Sequence, residues 1–271
     1  MGSMDYLSYN RHAWDRQVAR GNRWTIPVSA EDIAQARQGH IAIVLTPTKP
    51  VPPNWFGQLR GKRVLCLASG GGQQVPILAA AGAQVTSYDN SPAQLDRDRE
   101  VAAREGLSIQ TVLGDMARLM EIGDAQFDLI FHPCSNAFVP DVKSVWRECF
   151  RVLKPGGRLL AGFTNPLLFL FDDREMDKGN LVVRHKIPYS DLESLTPEQR
   201  QYYIDADEPL CFGHSLADQI GGQLEAGFVL AGFYEDRREE TADQILSEHI
   251  DPYIATLAIK PPQGTRESII D

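Results

Sequence analysis

The strongest constraint on this chain is an apolar run, Val64-Leu65-Cys66-Leu67, that passes through Ala68-Ser69 into Gly70-Gly71-Gly72 and then Gln73-Gln74. Consecutive apolar residues bounded by glycine read as a strand buried on both faces, the kind found in parallel sheets covered by helices. A glycine turn that leaves such a strand and opens a helix frees backbone N–H groups and a positive helix end for a ligand. The next apolar run ends at Asp89, and a carboxylate on a neighbouring strand can grip a ribose diol. The pattern is that of a nucleotide-cofactor cradle. The dinucleotide spacing Gly-x-Gly-x-x-Gly is met at Gly70 and Gly72 but fails at Val75, which disfavours a pyrophosphate. Pro76 suits the first turn of the following helix, and Gly82 suits its end.

From Gly61 onward, strand and helix signals alternate. Ser91-Pro92-Ala93-Gln94 combines an N-cap, a first-turn proline and a glutamine three residues after the cap, predicting a helix to Gly106. Asp141 to Leu153 gives an amphipathic helix, and Gly156-Gly157 turns the chain into a strand from Arg158 to Phe163. The alternation then lapses from Asn165 to Gly213, apart from a short apolar-polar stretch at Leu181 to Ile187 and a polar helix near Pro197 to Tyr203. A helix from Ser215 to Ala226, capped by Ser215 and ended by Gly227, precedes strands at Phe228 to Tyr234 and Tyr253 to Lys260.

Five stretches stand in register with one family. They are Val64 to Gln74, the acidic strand end in Val85-Thr86-Ser87-Tyr88-Asp89-Asn90, Gly114-Asp115-Met116, Phe127-Asp128-Leu129-Ile130-Phe131, and Val152-Leu153-Lys154-Pro155-Gly156-Gly157-Arg158-Leu159. On these motifs the chain resembles the class I, Rossmann-like S-adenosylmethionine-dependent methyltransferases, closely from Gly61 to Phe163 and loosely from Ser215 to Lys260. The resemblance implies an α/β fold: a doubly wound, seven-stranded, mostly parallel sheet with its last strand antiparallel. Around it stand a helical N-terminal cap and linker (4–60), the core (61–164), an insertion over the ligand edge (165–214), and a closing helix and strands (215–271). It implies S-adenosylmethionine as cofactor, S-adenosylhomocysteine as product, and methyl transfer to a small molecule: a small thiol, a phenol or quinol, or an amino-acid-derived metabolite. Expected cofactor contacts are Ala68, Ser69, Gly70, Gly71, Gly72, Gln74, Asp89, Asn90, Asp115, Met116 and His132. Asp115 and Met116 resemble the pair that reads adenine, and a mismatched base would leave buried polar groups unpaired there. Asp89 can also cap the helix begun by Ser91.

The chain departs from the family at Cys66, where many members carry an acid, and at Ala68-Ser69, where many carry Gly-Cys. Gln73 and Gln74 are candidates to replace the lost grip on the cofactor's amino group. Asn165-Pro166 follows the fifth strand and lacks the aromatic partner found in enzymes that methylate nucleic-acid amino groups.

A net charge of -9 argues against sequence-independent binding to nucleic acid, which draws on clustered Lys and Arg. A small-molecule acceptor is therefore expected. Cys66, Cys134, Cys149 and Cys211 form no Cys-x-x-Cys pair, which suits a reducing cytoplasm rather than a disulfide framework. His132 and Cys134 have no second ligand pair near them in sequence, so no metal is expected. The most apolar stretch, Leu159 to Phe171, is broken by Thr164-Asn165-Pro166 and is too short to span a bilayer. Met1-Gly2-Ser3 reads as a cloning remnant before a native start at Met4. The segment Thr46-Pro47-Thr48-Lys49-Pro50-Val51-Pro52-Pro53 reads as an extended linker.

Aromatic and histidine side chains at Tyr6, Tyr9, His12, Trp14 and Trp24, and at Phe169, Phe171, Tyr202, Tyr203, Phe212 and His214, predict a lid that excludes water. Substrate contacts are expected from Tyr9, Trp14, Trp24, Asn136, Phe138, Phe169 and His214. A thiol or acidic phenol needs little base, whereas an alcohol or amine would need His132, His12 or His214, which have suitable ordinary pKa values. Three alternatives share the glycine cradle: an aminopropyltransferase of the spermidine synthase type, a nicotinamide-dependent oxidoreductase, and a sensor that binds the cofactor without catalysis.

Overall fold

The computed structural model describes residues 4–237 and 244–262, so Met1-Gly2-Ser3 and the end of the 215–271 segment beyond Pro262 lie outside the described residues. The chain opens with α1 (Tyr6–Ala19), a 3-10 turn at Arg23–Thr25, α2 (Ala30–Arg37) and a single turn, α3 (Pro53–Phe56). The core runs β1 (Arg63–Leu67), α4 (Gln74–Ala80), β2 (Gln84–Asp89), α5 (Pro92–Glu105), β3 (Ile109–Leu113), β4 (Phe127–His132), α6 (Val142–Val152) and β5 (Leu153–Thr164). The segment after β5 holds α7 (Asp173–Met176), β6 (Tyr189–Ser190), α8 (Asp191–Ser194), α9 (Pro197–Asp205) and β7 (Phe212–Gly213), the two strands forming a separate ribbon. A π-helical turn (Ala217–Gly221), α10 (Gly222–Ala226), β8 (Val229–Asp236), α11 (Gln244–Ser247) and β9 (Tyr253–Ile259) complete the described chain.

One seven-stranded sheet has the order β3-β2-β1-β4-β5-β9-β8, with β9 antiparallel to both neighbours and the other strands parallel. Successive side chains of β1 alternate between two cores, as a pleated strand requires. Val64 and Cys66 pack with Leu129, Phe131 and the residues of α2 to α4, while Leu65 and Leu67 pack with Ile130 and the Val145, Trp146 and Cys149 face of α6. Strand order reverses between β1 and β4. At such a switch point the loops leaving the strands diverge and open a crevice.

Several local expectations need correction. The Ser215–Ala226 segment is not one α-helix: its middle is the π-helical turn, and the Trp146 indole N–H donates to the Asp218 carbonyl at 3.0 Å. Gly222 is where Trp146 comes close, since a Cβ there would lie 2.9 Å from the indole. The strand expected from Arg158 reaches back to Leu153, with a register shift against β4. The segment 46–53, read as an extended linker, instead bends back on itself: Val44 and Pro50 form an antiparallel bridge, the Val51 N–H donates to the Ile43 carbonyl at 3.0 Å, and Pro53 already belongs to α3. The Leu45 carbonyl accepts from the Cys134 N–H at 3.1 Å and sits where a Cβ on Gly162 would be, 2.0 Å away, so the chain crosses directly over β5. No helix among the described residues is long and apolar enough to cross a membrane.

Candidate active site

The loop from β1 to α4 is built on left-handed backbone: Gly70 and Gly72 have φ of 72° and 73°. Ala68 also has φ 47°, and its N–H donates to the Tyr88 carbonyl at 2.8 Å. The loop is wedged between two elements. A Cβ on Gly70 would lie 2.7 Å from the Trp24 carbonyl, and one on Gly71 would lie 2.4 Å from the Gln94 carbonyl of α5. The amides at the centre of the loop are already engaged from behind: Gly71 N–H donates to Gln94 Oε1 and Gly72 N–H to Asp98 Oδ1, each at 2.7 Å. Neither Gly71 nor Gly72 lines the cavity described next.

At the switch point the structure encloses a cavity of about 320 Å³. One part of its wall is Ala68, Ser69, Gly70, Asp89, Asp115 and Met116, with Gln73, Gln74 and Asn90 beside them. Asp89 accepts from the Ser91 N–H at 2.8 Å, so it does cap the turn into α5. Burial raises its pKa to about 6, against the pull of the Ser91 and Asn90 N–H groups and with a push from Asp15. Asp115 accepts from the Ala117 N–H at 2.9 Å. Both amide hydrogens of Gln73 are used on the Arg23 and Ile26 carbonyls. The Asn90 side chain is taken up by α1: its oxygen accepts from Arg11 at 3.1 Å and its nitrogen donates to the Leu7 carbonyl at 2.8 Å. Cys66 is fully buried in β1, where burial pushes its thiol far up and keeps it neutral, so it supplies no charge in place of the family's acid.

The rest of the wall is largely apolar and aromatic, with Asn10, Thr46, Ser135, Asn136 and Thr164 set into it. Of the expected substrate contacts, Trp14, Trp24, Asn136, Phe138 and Phe169 line the cavity, with Trp14 edge-on to Phe138 at 5.1 Å. Tyr9 and His214 do not line it. The Tyr9 hydroxyl donates to the Glu208 carbonyl at 3.0 Å, and the buried His214 ring meets the Asn136 carbonyl at 3.1 Å. Of the other lid aromatics, Tyr6 packs edge-on against Phe212 and Tyr202 against Tyr203, and Tyr6, Phe171, Tyr202, Tyr203 and Phe212 all lie off the cavity wall.

None of the three candidate bases lines the cavity. His12 is exposed on α1, its Nδ1 against the Ser8 carbonyl. His132 is fully buried beneath the strand ends, edge-on to Trp146, with Nδ1 at 2.9 Å from the Leu67 carbonyl and Nε2 without a partner. Burial lowers its pKa to about 4, so the ring is neutral at pH 7.

Sequence reasoning missed Asn10, the Val44 to Pro47 segment, Cys134, Thr164, Cys211 and Tyr253, all of which line the cavity. Asn10 had a signal, as a polar residue on the inner face of α1. It is buried, accepts from the Leu210 N–H at 2.8 Å and donates to the Leu210 carbonyl at 3.1 Å. Among the described residues, no group of three or more His, Cys, Asp or Glu side chains could hold a metal ion.

Asp98 is 1% exposed, and burial raises its pKa to about 7, offset in part by the Ser87 hydroxyl and the Gly72 N–H. The unfolded chain releases this proton near the ordinary carboxylate value of 3.8. The group's favourable contribution to folding is therefore complete below about pH 4 and is lost as pH rises to 7. Asp98→Asn keeps an acceptor for Gly72 and does not titrate. Its melting temperature relative to wild type should climb by several degrees between pH 5 and pH 8, on the order of 1 kcal/mol or more. A pH-independent difference in calorimetric melts would contradict this.

A family model described as a methyltransferase domain matches residues 65–161. The Bacillus subtilis protein named "Uncharacterized methyltransferase YbaJ" is 49% identical over 254 residues, covering 94% of this chain and 98% of that protein. A ubiquinone biosynthesis O-methyltransferase from Pseudomonas fluorescens is 33% identical over 127 residues, covering 45% of this chain and 55% of that protein. Among solved structures, an S-adenosylmethionine-dependent methyltransferase from Mesorhizobium loti aligns with a TM-score of 0.58 at 19% identity, covering 76% of this chain and 94% of that one. At that identity the likeness is one of fold.

Proposed function

Since the chain belongs to the class I S-adenosylmethionine-dependent methyltransferases, we propose that it methylates a small, largely apolar acceptor at a thiol or an acidic phenolic hydroxyl, with no protein side chain acting as general base. The observation that carries this reading is the composition of the cavity wall: among the described residues it holds no histidine, lysine or arginine side chain, and its acceptor part is made largely by residues such as Leu45, Trp14, Phe138 and Phe169. Two relatives with partial overlap act on apolar frameworks by their names, a sterol 24-C-methyltransferase from Aspergillus fumigatus and the ubiquinone biosynthesis enzyme.

The residues present suit the cofactor. Asp89 and Asp115 offer acceptors for a ribose diol and an exocyclic amine. The buried Ser69 hydroxyl has no nitrogen or oxygen partner, and the Gln74 side chain makes no hydrogen bond within the described residues. When bound, S-adenosylmethionine supplies a methyl group on a sulfonium centre. Gln74 takes the place of the acid missing at Cys66. Trp14, Phe138 and Phe169 exclude water from the acceptor, and dispersing charge in a dry, aligned pocket is where such a site gains rate. Met116 and the backbone of Ala68 to Gly70 orient the adenosyl end.

A nucleophile that ionises by itself makes the pH profile a property of the acceptor. With two phenols or two thiols of different acidity, the rising limb of kcat/KM should shift with the acceptor's own pKa, and His132→Gln, His12→Gln and His214→Gln should keep that limb in place. S-adenosylhomocysteine formation across a panel of thiols and phenols measures it. A limb fixed at one pH for every acceptor, and lost in one of the histidine variants, would overturn the proposal.

A further inference from the structure

One buried charge has no part in the reading above. Asp98 lies on α5 behind the glycine loop, 1% exposed. One carboxylate oxygen accepts from Gly72 N–H at 2.7 Å and the other from the Ser87 hydroxyl at 2.6 Å. Four residues earlier on the same helix face, Gln94 does the equivalent task for Gly71 with a neutral amide. Holding the loop therefore needs an acceptor but not a charge, and a buried carboxylate without a cation is costly.

Among the described residues no salt bridge reaches it. Arg99, held by Asp96 and Thr111, attracts it through space; Arg97 bonds Glu100 through one guanidinium nitrogen while its buried Nε has no partner; and Arg11, on α1, is engaged with Asn90. The nearby acids are Asp89, at the end of β2, and Asp15, which binds the Ser91 hydroxyl. On the cavity wall itself the carboxylates are Asp89 and Asp115, with no cationic side chain beside them among the described residues. The fixed charge around the cofactor end is negative, in surroundings where charges are screened far less than in water. S-adenosylmethionine carries a positive sulfonium. S-adenosylhomocysteine has a neutral thioether at the same place and is otherwise the same molecule.

We propose that Asp98 is a specificity-determining residue: from behind the glycine loop its negative charge, held by hydrogen bonds but by no salt bridge, favours the cationic methyl donor over the neutral spent cofactor. This rests on the reading that the cavity is the S-adenosylmethionine site. The role differs from that of Asp89, whose hydrogen bonds to a ribose would be the same in both ligands.

The test is calorimetric titration of the full chain and of Asp98→Asn with each ligand separately at pH 8. Asp98→Asn is near-isosteric, and its fold is checked by its melt. The expected result is a Kd for S-adenosylmethionine raised about 5- to 10-fold, with the Kd for S-adenosylhomocysteine changed less than 2-fold. A merely structural role would weaken both ligands equally. Equal weakening, or no change in either, overturns the proposal. In the wild type, the preference for S-adenosylmethionine should rise between pH 6 and pH 8 as Asp98 ionises, and that rise should be lost in Asp98→Asn; a flat wild-type preference also overturns it. Wild-type protein that takes up neither ligand removes the site reading itself, and this proposal with it.

Discussion

Asp89→Ala is expected to weaken S-adenosylmethionine binding by about 10- to 150-fold, the loss of charge-assisted hydrogen bonds amounting to about 1.5–3 kcal/mol. The carboxylate lies on the cavity wall, held by the Ser91 N–H and drawn on by the Asn90 N–H, and its remaining acceptor capacity is available to a diol. Its pKa of about 6 means that the effect is largest above pH 7, where the group is ionised. The variant should still fold, because the charge it removes is itself costly to bury. Titration of wild type and variant at pH 8 measures the difference, and equal affinities would take Asp89 out of the site.

Gly71→Ala should be more damaging, because it strikes fold and site together. The new methyl would meet the Gln94 backbone carbonyl at 2.4 Å, the Gln94 side-chain oxygen at 2.7 Å and Arg97 Cβ at 2.8 Å. Neither the helix backbone nor the loop can yield without breaking the Gly71 and Gly72 bonds to α5. Overpacking of this kind costs about 1–3 kcal/mol, and here the loss of two buried hydrogen bonds adds to it. A fall in melting temperature of roughly 5–10 °C is expected, with a loss of S-adenosylmethionine affinity beyond 100-fold. Gly221→Ala is the matched control. Nothing lies within 4 Å of its Cβ position and its φ of -59° is helical, so it should be neutral or gain up to about 1 kcal/mol. Equal melts for Gly71→Ala and Gly221→Ala would show that the loop is free to move off α5.

The sheet was legible because local signals agreed with one another. The apolar runs of β1, β2, β4 and β5, their glycine breaks and the caps at Ser91 and Asp141 mark every central element, and the structure has them within a few residues. The edge of the cavity was legible in Ala68, Ser69, Gly70, Asp89, Asp115 and Met116, all of which line it, because strand ends at a switch point converge whatever lies between them. What the loop's own amides do was hidden, since their partners lie 23 and 26 residues away on another element. A trace of it was visible: Gln94, Asp98 and Val101 share the inner face of α5 by helical spacing, and two of the three are polar where a core face should be apolar. His132 could have been placed by alternation, since it shares a face with Ile130, which points toward α6. The Val44 to Pro47 wall left no such trace. Proline and threonine in a segment outside regular helix or strand look the same whether they face a ligand or water.

Helix α1 is sewn to both ends of the cavity. On one side Arg11, Leu7 and Asp15 hold Asn90 and Ser91; on the other, Tyr9, Asn10 and Arg20 hold the backbone of Glu208, Leu210 and Ala206. One stretch of chain thus fastens the turn into α5 to the backbone of residues 206–210, and a substitution that loosens either row of bonds loosens the join between two parts of the fold that are distant in sequence.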